Sequence, residues 1–392
     1  MDTELVRIHE MSPIWLTIEG DGPFPGNPYQ IDFTDADGQP CNIFLLMSEN
    51  GQGKTTALQI MASLMRLLGE SRPTAYGVEA LDSGELRAQW DIRLRLTWRG
   101  RERIVVLSIL GGRFGDETIL KPWGENDLKN HDAESWHATG FRRHALGVLE
   151  PVGRGDDLVG DLRATLRTWQ GEQTESARGF AGNDFGLPTV LLFSAYRDIP
   201  KVGSAERFIA EPEHWGYQVA HTFDPHGSAW RDSLDNLLVW LKWLDQNKPA
   251  HDPLGRFGRA RDLVNRYVFD GDPDKFVEGI QTSPPQAVVY NKGHRHRLDR
   301  LSSGEKNLVQ LFLRIGAHMT RHTFILIDEP EVHLHPRWQI RLMRHLREFV
   351  RDNPGVTLIA ATHSLDMFRS FGFEVPEEGL RKGGEVIESN ME

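Results

Sequence analysis

The sequence predicts an α/β protein with a mostly parallel sheet, an antiparallel β flank and a compact helical insertion. Short apolar runs at 43–47, 323–327 and 356–361 each lie next to a stretch with helical spacing, the alternation typical of parallel sheets. Residues 92–110 contain two strand patterns separated by an Arg-Gly turn, which predicts an antiparallel hairpin. Ligands of such a fold gather at the carboxyl ends of the parallel strands.

Apolar residues at helical spacing predict the helices of the fold. They lie at about 57–68, 161–170, 230–248, 305–319 and 337–351. In the third of these helices Trp240 and Trp243 lie off the apolar stripe; such rings can dock a partner helix, but we expect them to pack inside the protein. A further buried strand is expected at 189–193.

These elements divide the chain into three predicted units. Residues 1–200 form an N-terminal lobe with the hairpin, residues 201–290 a mainly helical insertion, and residues 291–392 a C-terminal lobe. The first boundary rests on the turn-forming residues that follow Pro200.

Composition limits the classes of protein to consider. The chain has 392 residues, 39% of them apolar, which is enough for a folded core, and no run approaches the ~18 apolar residues of a membrane span. No secretory signal pattern opens it, and its single cysteine, Cys41, permits no internal disulfide. We therefore expect a cytoplasmic protein without a membrane partner.

The net charge of −11 argues against a surface that is basic throughout, as nonspecific nucleic-acid binding requires. Two local basic stretches remain, at 292–300 and along the predicted helix 337–351. The second is better explained as a solvated helix face, because apolar residues repeat beside it at helical spacing.

A phosphate-binding loop is predicted between the first apolar run and the helix that follows it. Residues 48–55 read SENGQGKT and match the pattern GxxxxGK[ST] except that Ser48 stands where the pattern has glycine. Glycines let backbone N–H groups approach phosphates, the lysine reaches the terminal phosphates, and the threonine hydroxyl binds Mg²⁺. The candidate nucleotide-binding residues here are Asn50, Gly51, Gly53, Lys54, Thr55 and Thr56.

A second motif ends the apolar run 323–327, where Asp328 and Glu329 follow directly. Paired with a phosphate loop, this is a Walker B pattern. Asp328 is predicted to bind Mg²⁺ together with Thr55, while Glu329 orients and polarises the attacking water.

Two further motifs follow in the order expected for one enzyme family. Residues 301–305 (LSSGE) form an SxxE capping box at a helix start and are similar to the LSGGQ signature, with Ser302 and Gly304 able to meet a phosphate. His363 ends the last apolar run and resembles a switch histidine that hydrogen-bonds the γ-phosphate and the water.

With all four motifs in order, the chain resembles the ABC-type ATPases, with the head fold of P-loop NTPases. The run 328–336, DEPEVHLHP, is similar to the DEPExxLHP of the OLD, RecF and SMC-like branch, which includes ATPases of anti-phage systems such as PARIS, Septu and Gabija. The resemblance covers roughly 30–60 and 295–365. It implies that ATP and Mg²⁺ are bound and that Lys54, Glu329 and His363 are catalytic.

The resemblance also implies a homo-oligomer in which Ser302 and Gly304 of one head reach the nucleotide of the other. We expect an anti-phage ATPase subunit that works with a separately encoded effector. The alternatives are a RecF-like ATPase that clamps DNA and an ATP-binding scaffold that hydrolyses very slowly. A transporter ATPase is disfavoured, because 245 residues separate Thr55 from Leu301.

Overall fold

The computed structural model describes residues 6–387 apart from short gaps. The gaps are residues 21, 25–26, 49–50, 52, 83–84, 116–117, 145–147, 154, 172–185, 198, 200–201, 204–206, 213–214, 224–229, 248–253 and 373–374. The strands are β1 (Arg7–Glu19), β2 (Tyr29–Asp32), β3 (Ile43–Ser48), β4 (Arg87–Trp98), β5 (Arg101–Gly112), β6 (Ser135–Arg143), β7 (Leu149–Gly153), β8 (Pro188–Phe193), β9 (Ala220–Phe223), β10 (Lys275–Thr282), β11 (Pro285–Asn291), β12 (His294–His296), β13 (His322–Asp328), β14 (Val356–Thr362) and β15 (Lys382–Ile387). The helices are α1 (Lys54–Gly69), α2 (Glu79–Asp82), α3 (Glu125–Asn130), α4 (Asp157–Gly171), α5 (Leu234–Asn247), α6 (Gly255–Tyr267), α7 (Ser303–His318), α8 (Pro336–Asp352) and α9 (Leu365–Phe371).

A parallel sheet of six strands forms the centre of the fold, in the order β15-β3-β14-β13-β8-β9. The predicted apolar runs are its strands β3, β13 and β14, so the parallel sheet is confirmed. Asp328 aligns with Ala361 across β13 and β14, and Thr362 aligns with Met47 across β14 and β3. The polar segments that follow these three strands therefore meet at one edge of the sheet.

A second six-stranded sheet supplies the predicted antiparallel flank, in the order β2-β1-β4-β5-β6-β7, with β5 and β6 paired in parallel. The predicted hairpin is β4–β5. Its turn residues Arg99 and Gly100 have φ of 49° and 70°, the two positive values that a tight hairpin turn requires. The hairpin prediction is confirmed.

The segment 201–290, predicted as mainly helical, needs correction. It contains α5 and α6 but also strand β9, which pairs with β8 in the central sheet, and the antiparallel pair β10–β11, which continues into β12. Because β9 belongs to the central sheet, residues 220–223 are part of the sheet rather than of an insertion. The division into lobes at 200 and 290 stays a prediction.

The central sheet is buried on both faces, because helices or strands cover each side. Phe324 and Leu326 of β13 pack in one core with α1, α4 and the antiparallel sheet, while Ile325 and Ile327 pack in a second core with α5 to α8. Trp240 is buried in the second core and stacks on the half-buried Trp243, as expected. Among the described residues, no helix combines the length and apolarity needed to cross a bilayer.

Candidate nucleotide-binding site

The phosphate loop joins the end of β3 at Ser48 to the first residue of α1, Lys54. Gly51 and Gly53 have φ of 83° and 89°, a backbone conformation that L side chains rarely adopt. A Cβ atom at Gly53 would lie 2.6 Å from the ring of Phe24. Conformation and space both require glycine at Gly53, while Gly51 is required by conformation alone.

Three more of the predicted nucleotide-binding residues lie in this loop or in the first turn of α1, which follows it. Asn50 lies outside the described residues. Thr55 is exposed and Thr56 is half-buried in the first turn of α1. The first N–H groups of a helix have no intrahelical acceptor, so this turn can bind phosphate oxygens.

Lys54 is buried beneath the loop. Its ammonium group donates to the carbonyl oxygen and to the hydroxyl of Ser48, both at 2.8 Å. Burial lowers the pKa of Lys54, and the carboxylates of Asp328, Glu329 and Glu331 oppose that shift. Ser48, which departs from the glycine of the motif, is an extended strand residue whose side chain holds the lysine.

The two predicted metal ligands, Thr55 and Asp328, contact each other at the edge of the central sheet. The Thr55 hydroxyl donates to Asp328 Oδ2 at 2.8 Å. Asp328 is buried, and its Oδ1 has no hydrogen-bond partner among the described residues. Burial raises the pKa of Asp328, with Thr55, Arg197 and Lys54 acting against the shift and Glu329 adding to it.

A hydroxyl and a carboxylate with an unused buried oxygen fit Mg²⁺, which binds oxygen ligands and keeps several waters. Thr55 and Asp328 are the residues that would hold the ion. A cavity of about 210 Å³ opens beside both, and Gln59 and Ser194 also line it.

Glu329 lies one residue beyond β13 in a left-handed conformation, with φ of 44°. Its carboxylate Oε1 is 3.5 Å from Nδ1 of His363, the predicted switch histidine, whose side chain is 45% exposed. The structure thus brings together the predicted water-orienting glutamate and the predicted switch histidine.

Glu331 was not predicted to take part in the site and proves to be its central acceptor. This buried carboxylate accepts from the Thr362 hydroxyl at 2.5 Å and from the backbone N–H groups of His363 and Ser364 at 3.0 and 3.2 Å. It therefore fixes the segment that carries the histidine. A second carboxylate two residues after Glu329 was the available signal.

Arg197 is the other residue that sequence reasoning missed. Its buried guanidinium donates to four acceptors: the carbonyl oxygens of Ser194 (2.5 Å), Asp328 (2.8 Å) and Glu329 (2.6 Å), and Asn307 Oδ1 (2.7 Å). Burial lowers its pKa to about 10, so it remains charged at neutral pH. The only sequence signal was an arginine closely following the buried strand β8.

The signature-like residues lie at the N-terminus of α7. Ser302 and Glu305 form the predicted capping box, with Ser302 N donating to Glu305 Oε2 at 3.1 Å. A Cβ atom on Gly304 would lie 3.1 Å from the Leu334 side chain. The hydrogen bonds that the Ser302 hydroxyl and N–H make to described residues go to Glu305, and none of them reaches the phosphate loop, Asp328 or Glu329.

Parts of the chain are similar to known proteins. The family model described as "AAA domain, putative AbiEii toxin, Type IV TA system" matches residues 219–366. UvrABC system protein A from Staphylococcus epidermidis is 39% identical over 168 residues, 40% of this chain and 15% of that protein. The phosphonates import ATP-binding protein PhnC from Lactobacillus johnsonii is 31% identical over 121 residues, 31% of this chain and 43% of that protein.

Among solved structures, the SMC head domain from Thermotoga maritima aligns with 92% of this chain and 92% of its own, at 14% identity and a TM-score of 0.39. The matches to the two curated relatives cover less than half of each relative's own length.

Proposed function

We propose that this chain, which falls in the AAA/ABC-type P-loop ATPase family, binds ATP with Mg²⁺ at residues 48–55 and hydrolyses it. The observation that carries the proposal is that the second oxygen of Asp328, next to the one bonded by Thr55, is buried and has no partner among the described residues. Most buried polar atoms in folded proteins have a hydrogen-bond partner, so a ligand, an ion or a water is expected to complete this oxygen. The name of PhnC, "ATP-binding protein", supports the same ligand.

The residues of the cluster suit the steps of phosphoryl transfer. Lys54 would exchange its bonds to Ser48 for bonds to the terminal phosphates, and Glu329 would hold and polarise the attacking water. His363, 3.5 Å from Glu329, would donate to the γ-phosphate or the water. When bound, Mg²⁺ would neutralise charge on the phosphate oxygens.

Hydrolysis is tested by phosphate release at saturating ATP and Mg²⁺. Glu329→Gln should lower turnover by about 10²–10⁴-fold, the usual contribution of a positioned acid or base. Glu278→Gln is the matched control. Glu278 lies on β10 and forms an ion pair with the exposed Arg295 on β12, so losing this carboxylate should leave turnover unchanged. Equal rates for wild type and Glu329→Gln would favour the scaffold with very slow hydrolysis.

We further propose that two copies complete each site, with Ser302 and Gly304 of one copy meeting the ATP of the other. Support comes from the capped, exposed start of α7, because the first N–H groups of a helix can bind phosphate. Ser302→Arg should abolish hydrolysis while sparing ATP binding by the monomer. The control Ser283→Arg, in the exposed β10–β11 turn, should leave both hydrolysis and ATP binding unchanged. Normal turnover of Ser302→Arg would refute the shared site.

The biological role that we propose is that of a cytoplasmic ATPase subunit in an anti-phage system of the OLD, RecF and SMC-like branch, acting with a separately encoded effector. The description of the matching family model, which names a putative toxin, agrees with a defence role. The alternative is an ATPase that clamps DNA.

Charge distribution favours the defence role over the DNA clamp. In the basic stretch 292–300, Arg295 pairs with Glu278 and Arg297 with Asp299. On α8, Arg341 pairs with Asp270 and Arg347 with Glu377. DNA binding is driven by Lys and Arg side chains that contact phosphates and release the counterions of the DNA. An arginine that already pairs with a carboxylate contributes less to this attraction. A gel shift with duplex DNA across salt concentrations tests this: tight binding that stimulates turnover would support the DNA clamp.

A further inference from the structure

Arg197 makes contacts that no predicted role explains. The residue is 6% exposed, and its guanidinium bonds four acceptors in three segments. These are Ser194 in its own loop, Asp328 and Glu329 at the end of β13, and Asn307 on α7. We infer that Arg197 is a positioning residue that fixes the Glu329 carboxylate and ties it to α7. This inference rests on the proposed ATPase function.

The turn that carries Glu329 needs such a restraint. Glu329 has a positive φ, a conformation that costs a non-glycine residue about 1–2 kcal/mol and persists only when the surroundings hold it. Its N–H donates to the Ala361 carbonyl at 2.8 Å, and its carbonyl accepts from Arg197 at 2.6 Å. With both groups bonded, the backbone of Glu329 is held in this conformation, which fixes the point from which its side chain extends toward His363.

Charge explains why an arginine does this work. The guanidinium is surrounded by the carboxylates of Asp328, Glu329 and Glu331, all of which favour its charged form. A buried positive charge is otherwise costly, so it is retained where several hydrogen bonds and opposite charges compensate it. A planar group with five donors can bind carbonyls of two consecutive residues and a side-chain amide at once, which an ammonium group cannot.

Asn307 extends the restraint to α7. Its Oδ1 accepts from Arg197, and its Nδ2 donates to the Val332 carbonyl at 2.6 Å, beyond Glu329. Ser302 and Gly304 lie within two turns of Asn307 at the start of the same helix. A displacement of α7 when these residues meet a partner's ATP would therefore be transmitted to Glu329.

The test separates turnover from ATP binding. Arg197→Lys keeps the charge but loses the fork of donors, so kcat should fall about 10–100-fold while the Kd for Mg-ATP stays within about twofold. The matched control is Arg314→Lys. Arg314 lies on α7, and burial lowers its pKa to about 10, as it does for Arg197. It donates to Gln310 and to the Asp232 carbonyl, not to the β13 turn. Its replacement should not change kcat.

A second variant keeps the inference testable if Arg197→Lys does not fold. Asn307→Ala removes the link to α7 and should lower kcat about tenfold with Arg197 intact. Because the two residues act as one unit, the double variant should have the same kcat as Arg197→Lys alone. If the two substitutions acted independently, their fold-losses in kcat would multiply.

The outcomes distinguish this inference from the proposed function. If wild-type turnover does not depend on Glu329, the ATPase proposal fails whatever Arg197 does. If turnover depends on Glu329 and Arg197→Lys retains full kcat, or loses ATP affinity as much as kcat, the positioning role is overturned.

Discussion

Two buried aspartates, one in each large sheet, have opposite surroundings. Asp91 lies inside β4 of the antiparallel sheet, where Oδ1 accepts from Gln89 (3.0 Å) and from Ser108, its cross-strand neighbour, and Oδ2 accepts from Gln89 at 3.2 Å. Asp328 ends β13 in the parallel sheet; Oδ2 accepts from Thr55, and Oδ1 has no partner among the described residues. Burial raises the pKa of both carboxyl groups.

The difference separates a buried carboxylate whose hydrogen bonds are complete from one that the proposed Mg²⁺ would complete. Around Asp91 the network is closed: the Gln89 amide also bonds the Lys121 backbone, and Trp136 donates to Ser108 Oγ at 2.8 Å. A fully satisfied polar network stabilises one packing arrangement. At Asp328, by contrast, only Oδ2 accepts a hydrogen bond from a described residue, and Oδ1 remains for the proposed cation. Raised pKa alone does not separate the two cases.

The largest expected effect compares the same substitution at both positions. Asp328→Asn should lower turnover by roughly 10³-fold, because a metal ligand supplies several kcal/mol of transition-state stabilisation. Asp91→Asn should keep turnover within about twofold, since Asp91 lies in the other sheet and the hydrogen bonds that its carboxylate accepts from described residues come from Gln89 and Ser108. Phosphate release by both variants measures this, and similar losses at both positions would remove the distinction between closed and open networks.

Each aspartate accepts a hydrogen bond from one hydroxyl, and removing that hydroxyl should affect folding stability more at Asp91 than at Asp328, the opposite order to the effect on turnover. Ser108→Ala strips a donor from a carboxylate that water does not reach, at a cost of about 1–3 kcal/mol in free energy of unfolding. Thr55→Val should cost less than about 1 kcal/mol, because Thr55 is exposed and the cavity that it lines together with Asp328 lets water replace the lost hydroxyl. Urea unfolding without nucleotide gives both values. Thr55→Val should instead lose Mg²⁺-dependent turnover, and a larger stability loss for Thr55→Val would contradict the comparison.

Much of this arrangement was predictable from the sequence, and the reason is local. Ser48–Lys54 and Asp328–Glu329 each join a run of apolar residues to polar ones within a few positions, so strand and site could be found together. The positions of Gly51 and Gly53 follow from backbone chemistry that no other residue meets as easily. The parallel sheet and the hairpin followed from the same periodicities.

What could not be predicted depends on contacts between distant positions. Arg197 bonds Asn307 and Glu329, more than a hundred residues away, and no local pattern marks an arginine whose partners are backbone carbonyls. Strand β9 has four residues with little pattern and becomes a strand by pairing with β8. The β10–β11 pair was missed within the segment predicted as helical, although the two valines and the tyrosine in Pro285–Asn291 offered a strand signal.

The pH dependence of stability gives a smaller effect that concerns the closed network alone. Burial raises the pKa of Asp91 from 3.8 to about 6. Since the folded state binds this proton more tightly than the unfolded state, the contribution to stability is present below pH 3.8 and is lost as pH rises through 6. Relative to Asp91→Asn, the wild type should lose about 1 kcal/mol of unfolding free energy between pH 5 and pH 7. Parallel urea curves for the two proteins check the sign, and an opposite slope would show that Asp91 is stabilised as a carboxylate.

The smallest expected effect concerns the hydrogen bonds between Lys54 and Ser48 in the nucleotide-free site and their influence on the Kd for ATP. Lys54 donates to both oxygens of Ser48, and at least one of these bonds must be given up when the ammonium turns to a phosphate. Ser48→Ala removes one competing acceptor and keeps the extended backbone of β3, so the nucleotide-free state loses a hydrogen bond that the bound state does not need. A charged hydrogen bond that is only partly replaced by water corresponds to a two- to fivefold tighter Kd for ATP, roughly 0.5–1 kcal/mol. Titration of a fluorescent ATP analogue into wild type and Ser48→Ala gives the ratio. Weaker binding by the variant would mean that the serine hydroxyl contacts the nucleotide itself, so that Ser48 belongs to the bound site rather than to the network that holds Lys54 in its absence.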